Sequence, residues 1–129
     1  GKEFVGTAAA LWGITAGVYL ALMGPEGIQE IGEGIMQRSH YAMKRLSEID
    51  GVKTPIFNSP HFKEFTVNFE AGKTVEELNR ELLKYKIFGG KDLTHEFPML
   101  GNSALYCVTE IHTKRDIDKL VDSLKEAVK

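Results

Sequence analysis

The period of the hydrophobic positions changes along the chain, and each change marks an element. From Asn102 to Glu110 the residues alternate. Leu105, Cys107 and Thr109 fall on one side, and Ala104, Tyr106 and Val108 on the other. That is the period of a strand, and with both faces largely apolar it predicts an interior one. Ile117, Leu120, Val121, Leu124 and Val128 then recur at helical spacing with charges between them. Thr113 stands before them as an N-cap, with Asp116 in the first turn. This strand and closing helix form the pair on which the remaining elements are expected to pack.

Upstream, residues 63–70 alternate as well, with Phe65, Val67 and Phe69 inward and Glu64, Thr66 and Asn68 outward. After the loop Ala71-Gly72-Lys73, Thr74 and Glu77 make a capping box. Val75, Leu78, Leu82 and Tyr85 mark the amphipathic helix that it opens. Residues 54–58 and the pair Ile87-Phe88 are short strand candidates. Pro55 keeps the first from being a regular central strand. Ser59-Pro60-His61 turns the chain, and Gly89-Gly90-Lys91 opens a loop that reaches Asn102 through Pro98 and Gly101.

The first part of the chain reads differently. Residues 4–24 carry no charge. Thr7 can cap a helix over residues 8–23, Gly24 ends it, and Pro25 and Glu26 suit the first turn of another. Ile28, Ile31, Ile35, Ala42, Met43, Leu46 and Ile49 lie near one face of that second helix, which Asp50-Gly51 stops. Gly32 and Gly34 weaken it by up to about 1 kcal/mol each relative to alanine. The expected fold is α+β. Connecting helices over residues 1–50 lead into a small mixed or antiparallel sheet, residues 51–129, with helices packed on one face.

The chain has 129 residues, enough for one domain with a proper core. A net charge of -2 supplies neither a basic field for nucleic acid nor an acidic tail. The uncharged opening stretch raises the question of a membrane span, which takes about 20 apolar residues. Here Gly6, Thr7, Gly13, Thr15 and Gly17 dilute the run, and no basic cluster flanks its far end. A helix buried inside a larger assembly is the favoured reading, with Gly13 and Gly17 allowing a close helix crossing.

Local chemistry is sparse. His40, His61, His95 and His112 show no metal-ligand spacing, and no nucleophile elbow or phosphate loop occurs. Gly89-Gly90-Lys91 has the residue types to hold an anion on backbone N–H groups, although a plain turn explains it more simply. Glu26, Glu30 and Glu33 read as a solvated helix face. Cys107, the one cysteine, excludes an internal disulfide and reads as a buried structural thiol.

Several stretches together resemble the P-protein of the glycine cleavage system. One runs from Gly6-Thr7 through Tyr19 to Gly24-Pro25-Glu26-Gly27. The others are Phe88-Gly89-Gly90-Lys91-Asp92-Leu93, and Leu105-Tyr106-Cys107-Val108-Thr109-Glu110 with its continuation to Asp118. The resemblance is to the end of subunit 1, which occurs where that enzyme is split into two chains. It implies an oxidoreductase of glycine catabolism, a glycine decarboxylase built on the fold of the aspartate-aminotransferase type of pyridoxal-phosphate enzymes. Pyridoxal phosphate would serve as the electron sink as carbon dioxide leaves, and the aminomethyl group would pass to the lipoyl arm of the H-protein.

The length then implies a C-terminal fragment, inactive alone and able to self-associate, with subunit 2, the H-protein and the rest of the system as partners in the cytoplasm. No nucleic-acid or membrane partner is expected. The family's cofactor lysine follows a histidine, and no histidine here is followed by lysine. Related members place an arginine early in the strand of the closing unit to hold a substrate carboxylate. By spacing from Asp116-Ile117-Asp118, Leu105 stands there instead. The resemblance therefore implies no catalytic, cofactor-binding or metal residue on this fragment, and pyridoxal phosphate on the other subunit. An alternative reading is a ferredoxin-like regulatory module that binds a small ligand, which the element order after residue 54 would allow.

Overall fold

The computed structural model describes residues 7–70 and 72–129, with the side chains of α1 described from Ala9 onward. The elements run α1 (Thr7–Ser47), β1 (Val52–Lys53), β2 (Glu64–Phe69), α2 (Val75–Lys84), β3 (Lys91–Asp92), a single 3-10 turn (Pro98–Leu100), β4 (Ser103–Cys107) and α3 (Lys114–Ala127). The described residues up to Glu33 form one compact unit and Gly34–Lys129 a second.

In the first unit, α1 is interrupted at Gly24, whose φ of 63° and ψ of 179° are not helical. A side chain rarely tolerates that φ, so glycine is the residue for the break, and Pro25 restarts the helix where its missing N–H is not needed. The expected two helices are thus one assigned helix with a break where the sequence placed it. The capping role expected of Thr7 lies outside the described side chains. Leu11, Trp12, Ile14, Val18, Tyr19, Leu20 and Leu22 are all exposed, Trp12 at 74% and Leu22 at 80%. The hydroxyl of Thr15 donates back to the Leu11 carbonyl at 2.9 Å, which leaves the helix surface still more apolar.

The second unit is built on an antiparallel sheet in the order β1-β2-β4-β3. Phe65 pairs with Tyr106 and Val67 with Ala104, so the two long strands present one common apolar face. Phe65, Val67, Phe69, Ala104, Tyr106 and Val108 are buried there. Ala42, Met43, Leu46 and Ile49 join the same core, as do Val75, Leu78 and Leu82 of α2 and Ile117, Val121, Leu124 and Ala127 of α3. Both capping boxes form: Thr74 with Glu77, and Thr113 with Asp116. All three pairs of neighbouring strands run antiparallel.

Three expectations are corrected. The first short strand is Val52–Lys53, two residues before the stretch expected at 54–58. Its position is set by pairing of Val52 with Phe69 and Lys53 with Asn68. Ile87 and Phe88 are not a strand. The edge strand is Lys91–Asp92, opposite Leu105 and Ala104. β4 is interior by pairing, but its second face is covered at Ser103 and open by Cys107, so Cys107 is exposed rather than buried.

Asn102 ties the second unit together. Its side-chain oxygen accepts the Val75 N–H at 3.0 Å, and its side-chain nitrogen donates to the carbonyls of Lys73 at 2.8 Å and Phe69 at 3.2 Å. One side chain thereby fixes the entry to α2 against the start of β4. Just past the end of α2, Lys86 takes a left-handed conformation (φ 60°) at the position glycine usually holds after a helix.

Candidate functional site

The residues singled out in the sequence are scattered. Glu26 and Glu30 are exposed on α1, and Glu33 accepts a hydrogen bond from Gln29 at 2.8 Å. His40 and His95 are exposed, and His61 is half-buried. Among the described residues, no three histidine, cysteine or acidic side chains gather in a way that could hold a metal ion. Gly89 and Gly90 answer to packing. A Cβ at Gly89 would lie 1.9 Å from the Asn79 side-chain oxygen, and one at Gly90 would lie 2.6 Å from the Tyr106 ring. Lys91 is held by Glu96 at 2.7 Å. This stretch is a tight turn against α2 and β4. Burial under it pushes the Tyr106 hydroxyl up to about 12.

Among the clefts on the second unit, two have polar linings. The first, about 560 Å³, is lined by residues that include Lys53, Thr54, Asn68, Glu70 and Met99. Its polar groups already serve one another. Lys53 pairs with Glu70, Thr54 donates to the Thr66 carbonyl at 3.1 Å, and Asn68 donates to the Leu100 carbonyl and the Ser103 hydroxyl, each at 3.0 Å. The second, about 490 Å³, lies where β4 ends and α3 begins, and includes Lys86, Leu105, Cys107, His112, Lys119 and Leu120. There the His112 Nδ1 accepts the Thr109 N–H at 2.9 Å, which leaves the ring hydrogen on Nε2. Lys119 donates to the Tyr85 carbonyl at 2.7 Å. Sequence reasoning missed both clefts, because their walls come from segments far apart in the chain.

A polar cluster joins α1 to α3. Tyr41 donates to Asp118 at 2.6 Å, and Arg45 donates to both Tyr41 at 2.7 Å and Asp118 at 2.5 Å. Lys114 holds the other Asp118 oxygen at 2.7 Å. Lys114 and Arg45 also lie over the Tyr41 ring, at 5.2 and 5.7 Å from its centre. The hydrogen bond from Lys114, then that from Tyr41, holds the Asp118 carboxyl below the usual carboxylate range. Every member of this cluster is matched, so it orients α3 and has no free group to do chemistry.

A pyridoxal-phosphate site needs a lysine withdrawn from water, where an amine can be nucleophilic. No lysine among the described residues is buried. Several are committed to surface pairs, Lys53 with Glu70, Lys84 with Glu81 and Lys129 with Glu126 among them. The residues present do not fit the cofactor as a self-contained site. The described chain is instead an α+β segment: a long leading helix with an exposed apolar half, and a small antiparallel sheet.

Comparison with known proteins places that segment. No protein-family model matches the chain. It is 48% identical over 123 residues to the probable glycine dehydrogenase (decarboxylating) subunit 1 of Staphylothermus marinus, covering 95% of this chain and 26% of that protein. The corresponding protein of Saccharolobus solfataricus is 43% identical over 123 residues, covering 95% of this chain and 25% of that protein. A crystal structure of glycine decarboxylase (P-protein) of the glycine cleavage system, in inhibitor-bound form, superposes with a TM-score of 0.85 and 31% identity, over 98% of this chain and 28% of that one. The chain is homologous to part of glycine dehydrogenase (decarboxylating) subunit 1, and it spans about a quarter of the length of the curated relatives it matches. Among the described residues, no helix is long and apolar enough to cross a membrane.

Proposed function

We propose that this chain forms the C-terminal part of subunit 1 of a two-subunit, cytoplasmic P-protein. Residues 1–50 act as the connecting helices and residues 51–129 as the small domain. Its task is to complete and shape an active site shared with the rest of subunit 1 and with subunit 2. The supporting observation is the 48% identity that runs through 95% of the chain, which includes the exposed helix as well as the packed sheet. In this reading subunit 2 carries the pyridoxal-phosphate lysine, and the lipoylated H-protein receives the aminomethyl group. When bound, the cofactor supplies the electron sink for loss of carbon dioxide from glycine. This chain contributes no catalytic, cofactor-binding or metal-binding residue. It contributes surface: apolar side chains such as Trp12 and Leu22 are costly to leave in water and are covered in the assembly.

The test is reconstitution. The chain is co-expressed with the remaining part of subunit 1 and with subunit 2, purified as one complex, and assayed for exchange of bicarbonate into glycine. Exchange is expected only when all parts are present. Undiminished exchange without this chain, or exchange by this chain alone, would contradict the proposal.

A further inference from the structure

The turn that carries β4 into α3 is held by one side chain. Val108 and Ile117 are buried on either side of it, and from Glu110 to Asp116 every residue except His112 is exposed. Ile111, the bulkiest apolar residue of the turn, is 74% exposed and adds little packing. The backbone bond that closes the turn, from the His112 N–H to the Thr109 carbonyl, is 3.2 Å long, at the weak end of the range. The shorter bond is the one in which the Thr109 N–H donates to the His112 Nδ1 at 2.9 Å.

That shorter bond exists only for a neutral ring. An imidazole with its hydrogen on Nε2 accepts at Nδ1, and a second proton can go nowhere else. The acceptor then becomes a donor facing the Thr109 N–H, and the bond is lost. The Thr109 hydroxyl is an acceptor at hand, but it lies 3.3 Å from Nδ1, so ring and backbone must shift to use it. The new charge would also fall just before the N-terminus of α3, the positive end of the helix dipole. The groups around the ring are mixed in sign. Lys86 beyond α2, Tyr106 and Cys107 on β4, and Asp116 and Lys119 on α3 line the same cleft. Glu64 of β2 pairs opposite Cys107, Glu110 stands in the turn, and Arg115 is in the first turn of α3. Asp116, the acid that shares the cleft, is already engaged by the Thr113 N–H at 2.8 Å and the Thr113 hydroxyl at 2.6 Å.

We propose that the β4–α3 turn is a pH-sensitive latch: the neutral His112 ring holds residues 109–112 closed, and uptake of a proton at Nδ1 releases them. The capping box keeps α3 itself in place, so the opening is confined to the turn. The inference stands apart from the assembly role, because every residue of the latch lies within Gly34–Lys129.

The test is an NMR titration of the full chain, nitrogen-15 labelled, between about pH 8 and pH 5, where histidine changes charge. Over that range the Asp116 carboxyl, held low by the Thr113 hydroxyl, stays ionised. At the upper end the His112 ring is expected to carry its hydrogen on Nε2. As the ring takes up its second proton, the Thr109 amide should shift with the same midpoint. It should also lose about tenfold or more of its protection against hydrogen exchange, relative to an unstructured chain at each pH. His112→Asn puts a side-chain oxygen near the place of Nδ1 without a titrating group, and should keep Thr109 protected across the range. His112→Phe should leave it unprotected throughout. A ring hydrogen on Nδ1 at the upper end, a Thr109 amide that does not follow the ring, or a pH response that survives in His112→Asn would each overturn the proposal.

Discussion

Residues 8–23 are the most apolar stretch of α1, yet residues 34–47 of the same helix are the ones that bury their hydrophobic side chains. Ala42, Met43 and Leu46 are part of the core, whereas Leu11, Trp12 and Leu22 stand in water. The difference lies in pattern rather than amount. The later stretch keeps its apolar side chains to one stripe that matches the sheet, and polar residues such as Gln37 and Lys44 take the outside. The earlier stretch is apolar nearly all round, a composition suited to a helix enclosed on several sides. One is organised for its own domain, and the other fits a piece of a larger protein.

That contrast can be broken experimentally. The largest loss should come from Phe65→Ala, which empties a fully buried ring position facing Tyr106. A cost of about 3–5 kcal/mol is expected in chemical denaturation. Asn102→Ala comes next, at about 1–3 kcal/mol, because the Val75 N–H and two carbonyls lose their partner in a half-buried place.

A smaller effect is expected from acid. The carboxyls of Asp118 and Asp116 are held low, the first by Lys114 and then Tyr41, the second by Thr113. A carboxyl held lower in the folded chain than in the unfolded one adds stability above its unfolded value of about 4. That stability is lost as pH falls through the folded value. Thermal stability should therefore decline below about pH 4, and Asp118→Asn should make that decline shallower. An unchanged acid limb in the variant would remove the cluster from the account.

Smallest of all for stability is Trp12→Gln, expected within about 0.5 kcal/mol of the parent because the ring is exposed. The same change, combined with Leu11→Gln and Tyr19→Gln, should shift sedimentation of the isolated chain toward the monomer. A chain already monomeric at high concentration would argue that this apolar surface has no tendency to be covered.

The elements that could be read from the chain were those fixed by near neighbours. Gly24-Pro25, the two capping boxes and the alternation of Phe65, Val67 and Phe69 each carry their physical cause within a few residues. The two short strands do not. Val52–Lys53 and Lys91–Asp92 owe their conformation to partners 15 or 12 positions away, such as Asn68 and Ala104, so β propensity pointed instead at 54–58 and at Ile87-Phe88. Phe88 looked like a strand residue and is 92% exposed. Cys107 is exposed against expectation, because alternation reports which side a residue takes but not whether that side is covered. The cluster of Tyr41, Arg45 and Asp118 joins positions 73 and 77 apart and leaves no local trace beyond the i,i+4 spacings of Tyr41 with Arg45 and of Lys114 with Asp118.

The central claim is that this chain shapes a site whose reactive amine belongs to another polypeptide. Borohydride reduction of the reconstituted complex in pyridoxal phosphate, followed by peptide mass spectrometry, addresses it directly. The account predicts one stable lysine adduct on subunit 2 and none on this chain. A stoichiometric adduct at any single lysine between Lys44 and Lys129 would contradict it.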